Sequence, residues 1–481
     1  MNAPVRRLSL VVAVLFASLL VSTTLIQYVF AADLNARPDN RRTLLSTFAR
    51  ERGEILVGQT AVAKSVPVDD EYKYQRVYDE GKLYAHVTGS YSFFGASGGL
   101  EQAENSLLSG SSDKLFYRRV SDLFTGRRAQ GANVETTLDP LVQAAAADGL
   151  KGIKGAAVAL DPKTGAILAD VSIPSYNPNV LAGHDFQQVK TAYETLNANG
   201  APRLISRSTQ SIYPPGSTFK LVTAATALSN GYTPDTMVRG GTELQLPQTS
   251  HVLHNENGSD CGGDQITLTQ ALVVSCNVSF GDLGLKLGAD RLRDQAEKFG
   301  FNEDYLTQLP FNPSVFPESL DEPQTALSAI GQFDVAASPL QMAMVAAGIA
   351  NGGAVMTPYV VAEVRSPDLD VLSKAQPEVL HQAISGQVAD ELTQMMVDVV
   401  NSGTGSPAQI PGVSVAGKTG TANSATSKAP YAWMVTFAPA NDPQVAVAVA
   451  IEQSGEDRED ITGGGLAGPI ARAVMEAVIN P

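Results

Sequence analysis

A chain of 481 residues that is 44% apolar and 17% charged is too hydrophobic to remain disordered and long enough for two or three separately cored domains. A net charge of −15, with no basic run beyond Arg6-Arg7 and Arg41-Arg42, argues against a nucleic-acid backbone as partner. Two cysteines, Cys261 and Cys276, are too few for a disulfide framework or a cysteine-rich zinc site.

The first element follows Arg6-Arg7, where an uncharged, largely apolar run extends from Leu8 to Ala32. Its 25 residues exceed the roughly 20 that a membrane-spanning helix needs. Arginines ahead of it keep residues 1–7 cytoplasmic and export residues 33–481. A cleaved signal peptide is the competing reading, since Val29-Phe30-Ala31 has small residues a signal peptidase accepts. A signal core is usually about 7–15 residues, so an uncleaved anchor over 8–32 is the better expectation.

Residues 33–60, with Arg37, Arg41, Arg42, Arg50 and Arg52, read as a juxtamembrane stalk. From 61 to 130, short β-like runs (Leu83 to Val87, Ser90 to Phe94) alternate with Gly and Ser turns. With the stalk they make a small α+β pedestal over 33–130 that carries no catalytic cluster. A different pattern starts near 131. Thr137-Leu138-Asp139-Pro140 caps a helix over Leu141 to Leu150, with proline in its first turn. Two apolar runs around Pro162-Lys163-Thr164-Gly165 read as a hairpin. Tyr431 to Phe437 and Gln444 to Ile451 read as two further strands, and a helix from Pro469 to Ile479 follows. Strands at both ends of 131–481 with helices between them predict one α/β domain, its sheet assembled from distant segments.

Three short motifs carry chemistry. In Pro214-Pro215-Gly216-Ser217-Thr218-Phe219-Lys220, the prolines and glycine place Ser217 near a helix N-terminus. Ser217 and Lys220 are one helical turn apart and share a face. A serine hydroxyl needs a neighbouring base to become a nucleophile, and a desolvated lysine can be that base. The backbone N–H groups of the helix start favour a developing oxyanion. Ser275-Cys276-Asn277 comes next, where a hydroxyl can relay a proton and an amide can hold the lysine and the substrate. Gly417-Lys418-Thr419-Gly420-Thr421-Ala422 is the third and precedes the strand pair. There Lys418, Thr419 and Thr421 suit a carboxylate, and Gly420 permits close approach of a substrate backbone laid along the strand edge. Alone, each motif fits an ordinary capping serine, buried polar helix residues or a strand. In this order they match the signature of serine β-lactamases and penicillin-binding proteins, except that the middle element, Ser-Cys-Asn, fits S-x-N and not S-D-N.

With those residues the chain resembles the class B penicillin-binding proteins, most of all the actinobacterial penicillin-binding protein A group. The resemblance covers nearly the whole length. It extends to Pro174-Ser175-Tyr176-Asn177-Pro178-Asn179, Ala329-Ile330-Gly331-Gln332, Ser338-Pro339-Leu340-Gln341-Met342-Ala343 and, in the pedestal, Gly99-Leu100-Glu101. It implies a transpeptidase fold with a central antiparallel sheet flanked by helices, and a cell-wall enzyme needing no cofactor. Ser217 is then the acylated nucleophile, Lys220 its base, and Ser275 and Asn277 the proton network. Lys418, Thr419 and Thr421 hold the carboxylate, and the N–H groups of Ser217 and Thr421 form an oxyanion hole. Implied partners are peptidoglycan stem peptides, β-lactams and other cell-wall synthesis or division proteins. The alternatives are a D,D-carboxypeptidase and a non-catalytic division scaffold or β-lactam sensor. About 100 residues between anchor and catalytic domain leave no room for a glycosyltransferase. Glu318-Ser319-Leu320-Asp321 does not match the deacylating motif of class A β-lactamases.

Other residues read more plainly. His251 and His254 near Asp260, Cys261 and Asp264 match no standard zinc spacing, so no metal is expected. Trp433 reads as core or cleft wall. In an oxidising compartment Cys261 and Cys276 can form a bridge that ties the 255–264 loop to the second motif; two free buried thiols are the other reading.

Overall fold

The computed structural model describes residues 3–30, 34, 45, 48–127, 130–198, 202–422, 429–458 and 460–480. Residues 31 and 32 of the expected anchor lie outside these, as do 33, 35–44, 46 and 47 of the expected stalk, with Arg37, Arg41 and Arg42. The chain opens with helix α1 (Ala3–Thr24), continued by a wider turn over Leu25–Val29. Together they make 27 residues, wholly exposed and apolar enough to cross a membrane. The helix starts ahead of Leu8 and so includes Arg6 and Arg7.

Strands β1 (Ile55–Val57), β2 (Thr60–Pro67) and β3 (Tyr74–Tyr78) form an antiparallel run, so residues 55–57 belong to a sheet and not to a stalk. Leu83 to Val87, expected as a strand, lies within the helix Gly81–Thr88, which ends at Gly89 with φ 72°. Its period was too short to separate strand from helix, and burial of Tyr84, Ala85, Val87 and Thr88 selects the helix. Ser90–Ser92 does pair, as a short hairpin with Gly95–Ser97. Buried Glu101 locks this region. It takes Arg52 Nε at 2.5 Å on one oxygen, and Arg76 Nε at 2.6 Å and the Tyr78 hydroxyl at 3.1 Å on the other. Helix α2 (Phe116–Thr125) follows. Strand β4 (Asn133–Thr136) then runs parallel to β1.

Helix α3 (Pro140–Gly149) starts where expected, with Asp139 Oδ1 accepting from the N–H groups of Leu141 (2.8 Å) and Val142 (3.2 Å). The hairpin β5 (Lys154–Leu160) and β6 (Ile167–Ile173) follows. Helices α4 (Lys220–Ser229), α5 (Asn277–Leu287) and α6 (Pro339–Ala350) fill the middle of the chain. Strands β7 (Val361–Arg365) and β8 (Val371–Lys374) return to the pedestal. They complete its six-stranded sheet in the order β8-β7-β4-β1-β2-β3, which fastens the pedestal to the following domain through residues from both sides of position 131. Strands β9 (Ala416–Ala422), β10 (Tyr431–Ala438) and β11 (Val445–Gln453) and helix α7 (Gly468–Ile479) end the fold.

The second sheet is antiparallel, in the order β9-β10-β11-β5-β6, so strands from opposite ends of the domain lie side by side. Both faces are covered, which is why its strands are apolar without alternation. Val158, Leu160, Val435 and Phe437 face a core containing α4 and α6. Ala157, Ala159, Val447 and Val449 face a second core with α3 and α7. This is the central antiparallel sheet with flanking helices that the resemblance implied. Strand β9 is left at one edge, beside the turn bearing Ser217.

Candidate active site

The turn before α4 is built to hold Ser217 out of the helix interior. Gly216, at φ 53°, lets the chain double back, and Gly216–Phe219 forms one tight helical turn. Three bonds pin it: Gly216 N–H to Gly331 O (3.0 Å), Trp433 Nε1–H to Pro214 O (3.0 Å) and the Thr218 hydroxyl to Pro215 O (2.7 Å). Phe219 anchors the underside, stacked on Phe316 and edge-on to Phe301. Helix α4 is buried on nearly all sides, so Lys220, and the Ser217 turn that leads into it, are held by an element that cannot slide. Ser217 itself stays half-buried, open to a reactant.

Lys220 is fully buried, and four groups surround its amine. Ser217 Oγ lies at 2.9 Å, Ser275 O at 2.8 Å, Asn277 Oδ1 at 2.7 Å and Ser275 Oγ at 3.3 Å. Two of these, the carbonyl and the amide oxygen, can only accept. A neutral amine has two N–H bonds and one lone pair. Donating its two hydrogens to those oxygens turns the lone pair toward the hydroxyls, so Ser217 O–H can donate to Lys220. Burial, and then the neighbouring Lys418, push the Lys220 ammonium well below its usual range, while Glu256 opposes them. Geometry and electrostatics thus agree on a base aimed at Ser217.

Ser275 occupies the turn between the helix Leu268–Val273 and α5, at φ 59°, an unusual backbone for serine. Its hydroxyl takes the Lys418 amine at 2.9 Å. Lys418, in β9, is fully buried and also donates to Thr419 O at 2.9 Å. Burial lowers it to about 7, against the pull of Glu256. The structure therefore directs Lys418 toward Ser275, as part of a hydroxyl–amine chain running Ser217, Lys220, Ser275, Lys418. Thr419 and half-buried Thr421 remain on the strand edge, with the Thr419 hydroxyl 2.6 Å from that of Thr404.

Gly420 also makes room within the chain itself. A Cβ there would come within 2.9 Å of Pro215 O and 3.0 Å of Thr218 Cγ2. The missing side chain makes room for the nucleophile turn of the same chain. A Cβ on Gly216 would likewise meet Ala422 Cβ at 2.9 Å and Thr421 O at 3.0 Å. Small residues on both sides bring β9 against the Ser217 turn and set the Ser217 and Thr421 backbones next to each other.

Cys261 and Cys276 are joined. The bridge stitches the 255–264 loop to the second motif, and two hydrogen bonds add to it. Asn277 Nδ2 donates to His254 O at 3.1 Å, and Val278 N–H donates to Asn255 Oδ1 at 2.9 Å. His254 thus contributes a backbone carbonyl here. Sequence reasoning passed over Asn255, Glu256 and Thr404, which belong to no motif; an Asn-Glu pair in a loop later tied to Cys276 was the one hint. Trp433 is wholly buried and braces Pro214; it is a core residue, the first of the two readings expected.

Fold and site together define a serine acyltransferase of the penicillin-recognising kind, and the chain belongs to the penicillin-binding protein transpeptidase family. The family model for the penicillin binding protein transpeptidase domain matches residues 155–476, and that for the penicillin binding protein A dimerisation domain matches 52–134. Among curated relatives, peptidoglycan D,D-transpeptidase PbpA of Mycolicibacterium smegmatis is 44% identical across 100% of this chain and 99% of its own length. The protein of the same name from Mycobacterium tuberculosis is 43% identical over the same shares. The ceftriaxone acyl-enzyme complex of penicillin-binding protein A from M. tuberculosis superposes with TM-score 0.87 at 43% identity, covering 91% of this chain and all of the other.

Proposed function

We propose that the protein is a membrane-anchored peptidoglycan D,D-transpeptidase, held by α1 with its N-terminus cytoplasmic and residues 33–481 outside. The observation that carries this reading is the Lys220 amine 2.9 Å from Ser217 Oγ, with its two shortest contacts on obligate acceptors, Ser275 O and Asn277 Oδ1. Lys220 takes the Ser217 proton as Oγ attacks the penultimate D-Ala carbonyl of a stem peptide. The backbone N–H groups of Ser217 and Thr421 receive the oxyanion. As the tetrahedral intermediate collapses, the C–N bond breaks and Ser275, between the two lysines, passes a proton to the departing D-Ala amine. An amine of a neighbouring stem then attacks the ester, gives up its proton along the same chain, and restores Ser217. Asn277 positions Lys220, and Thr419 and Thr421 bind the terminal carboxylate along the β9 edge, with Lys418 supplying positive charge behind them. β-Lactams acylate the same hydroxyl. Relatives named as D,D-transpeptidases across the full chain length, and the acyl-enzyme complexes among similar structures, support this. Assembly with other division or cell-wall proteins belongs to the same proposal.

Labelling with a fluorescent penicillin and mapping the modified peptide tests it. The label is expected on Ser217 and absent from Ser217→Ala; a label elsewhere rejects the mechanism. Product analysis with a D-Ala-D-Ala peptide, with and without an acceptor amine, separates cross-linking from hydrolysis by a carboxypeptidase. A pure scaffold or sensor would let Ser217→Ala support wall synthesis unchanged.

A further inference from the structure

We infer that Thr404, an exposed residue outside all three motifs, is a positioning residue for carboxylate binding: its hydroxyl donates to that of Thr419 and so turns the Thr419 hydrogen toward the substrate. The inference rests on the reading above in which Thr419 binds the terminal carboxylate.

The backbone holds Thr404 from both sides. It follows the helix Gly386–Ser402, and the N–H groups of Gly403 and Gly405 both return to Val399 O, at 3.1 and 3.0 Å. A Cβ on Gly403 would come within 2.6 Å of Val273 O, in the helix that leads into the second motif. One on Gly464 would come within 2.5 Å of Thr404 O. Close approach at both glycines wedges Thr404 between the second motif and the turn Gly463–Ala467 ahead of α7. From there its hydroxyl lies 2.6 Å from that of Thr419.

Chemistry sets the direction of that bond. Each hydroxyl has one hydrogen, and a carboxylate can only accept. Thr419 can therefore bind a carboxylate only with its own hydrogen free, and the hydrogen between the two hydroxyls must then come from Thr404. A hydroxyl that accepts one bond is polarised into a stronger donor of the next. Lys418 leaves this work to the hydroxyls. Its amine is buried and turned to Ser275 Oγ and Thr419 O, each at 2.9 Å.

The test measures acylation of the full chain by benzylpenicillin and by its methyl ester, which lacks the negative charge. The variants are Thr404→Val, Thr404→Ser, Thr419→Val and the pair Thr404→Val/Thr419→Val. Each variant is its own control, because misfolding lowers both rates alike. Thr404→Val keeps the side-chain shape and should slow the acid about fivefold, the equivalent of one hydrogen bond between neutral groups, with the ester unchanged. Thr404→Ser should keep the wild-type preference for the acid. Adding Thr404→Val to Thr419→Val should cost nothing further, because Thr404 acts through Thr419. If Thr404→Val keeps the acid preference while Thr419→Val loses it, the inference is overturned and the carboxylate reading stands. Acid and ester slowed alike by Thr404→Val overturn it too, as does a Thr404→Ser enzyme as slow as Thr404→Val. A full additional cost in the pair means that Thr404 touches the carboxylate itself, and rejects the relay. Full acid preference in Thr419→Val removes the carboxylate reading and the inference together.

Discussion

Lys220 and Lys418 both reach the Ser275 hydroxyl, at 3.3 and 2.9 Å, and neither has any exposed surface. Two ammonium groups so placed repel across a medium that screens them poorly. The site therefore relieves itself by releasing protons, which is what a base at Ser217 requires. The pair titrates as a unit, and its apparent steps belong to both amines.

Burial drives that release, and Glu256 opposes it. It faces both lysines electrostatically and raises both. β-Lactam acylation should rise with pH as the lysines lose protons, with Lys418 near 7 marking the region. Removing the acid in Glu256→Gln lowers both amines further, so the rising limb should move to lower pH. The acylation rate of a slow β-lactam, followed from pH 5 to 9, checks this. An unmoved limb, or one moved upward, contradicts the electrostatic role. Lys220→Ala should remove the limb and most of the rate, a loss of about 100-fold or more for a missing general base.

Gly420→Ala should cost more in rate than in stability. The new methyl meets Pro215 O, a backbone atom that cannot swing aside as a side chain would. Relief requires β9 or the Ser217 turn to shift by several tenths of an ångström, which misplaces the nucleophile relative to the strand edge. A misplacement of that order costs roughly tenfold to 100-fold. The acylation rate with a folded circular-dichroism spectrum is the measurement. A fully active Gly420→Ala enzyme would mean that the close approach has no bearing on catalysis.

Breaking the Cys261–Cys276 bridge should loosen the second motif. A closed loop with a sequence separation of 15 is worth about 3 kcal/mol by loop entropy. Cys261→Ser leaves the Asn277–His254 and Val278–Asn255 bonds as the remaining stitches. The expected outcome is a lower melting temperature and slower acylation, with Ser275 and Asn277 less well held beneath Lys220. Two reactive thiols in the denatured, unreduced protein would show that the bridge does not form.

The motifs were legible because their chemistry fixes residue type and order, and the helix start at Asp139 because its cap is local. The central sheet was legible from the strand pairs at 155–171 and 431–451. What escaped was non-local. Leu83 to Val87 holds too few residues to show a period, and only burial against the pedestal core decides it. Residues 55–57 and 361–374 give no sign of joining one sheet, because the partner strands are far away in sequence. The need for a glycine at 420 to admit the nucleophile turn escaped because that turn begins 205 residues earlier, at Pro215. Glu256 acts on the two lysines through a field, which no local pattern records.

Asp170 offers a test of stability independent of the catalytic groups. It lies in β6, 3% exposed, with one carboxylate oxygen lacking a partner. Its backbone is held by Gln143, whose amide donates to Asp170 O and accepts from Asp170 N–H. Burial, only partly offset by Ser208, lifts its carboxyl from the ordinary 3.8 to about 6. A carboxyl raised on folding is best tolerated when protonated. Its stability contribution is whole below pH 3.8, falls as pH rises through about 6, and is constant beyond. The difference amounts to about 3 kcal/mol. Asp170→Asn stays neutral throughout. Whatever its packing cost, the variant should gain on the wild type by about that amount between pH 4 and 8. Denaturant unfolding of both proteins at the two pH values measures it. Parallel pH dependences would show that the carboxyl is ionised without penalty, and hence that water or a cation reaches it.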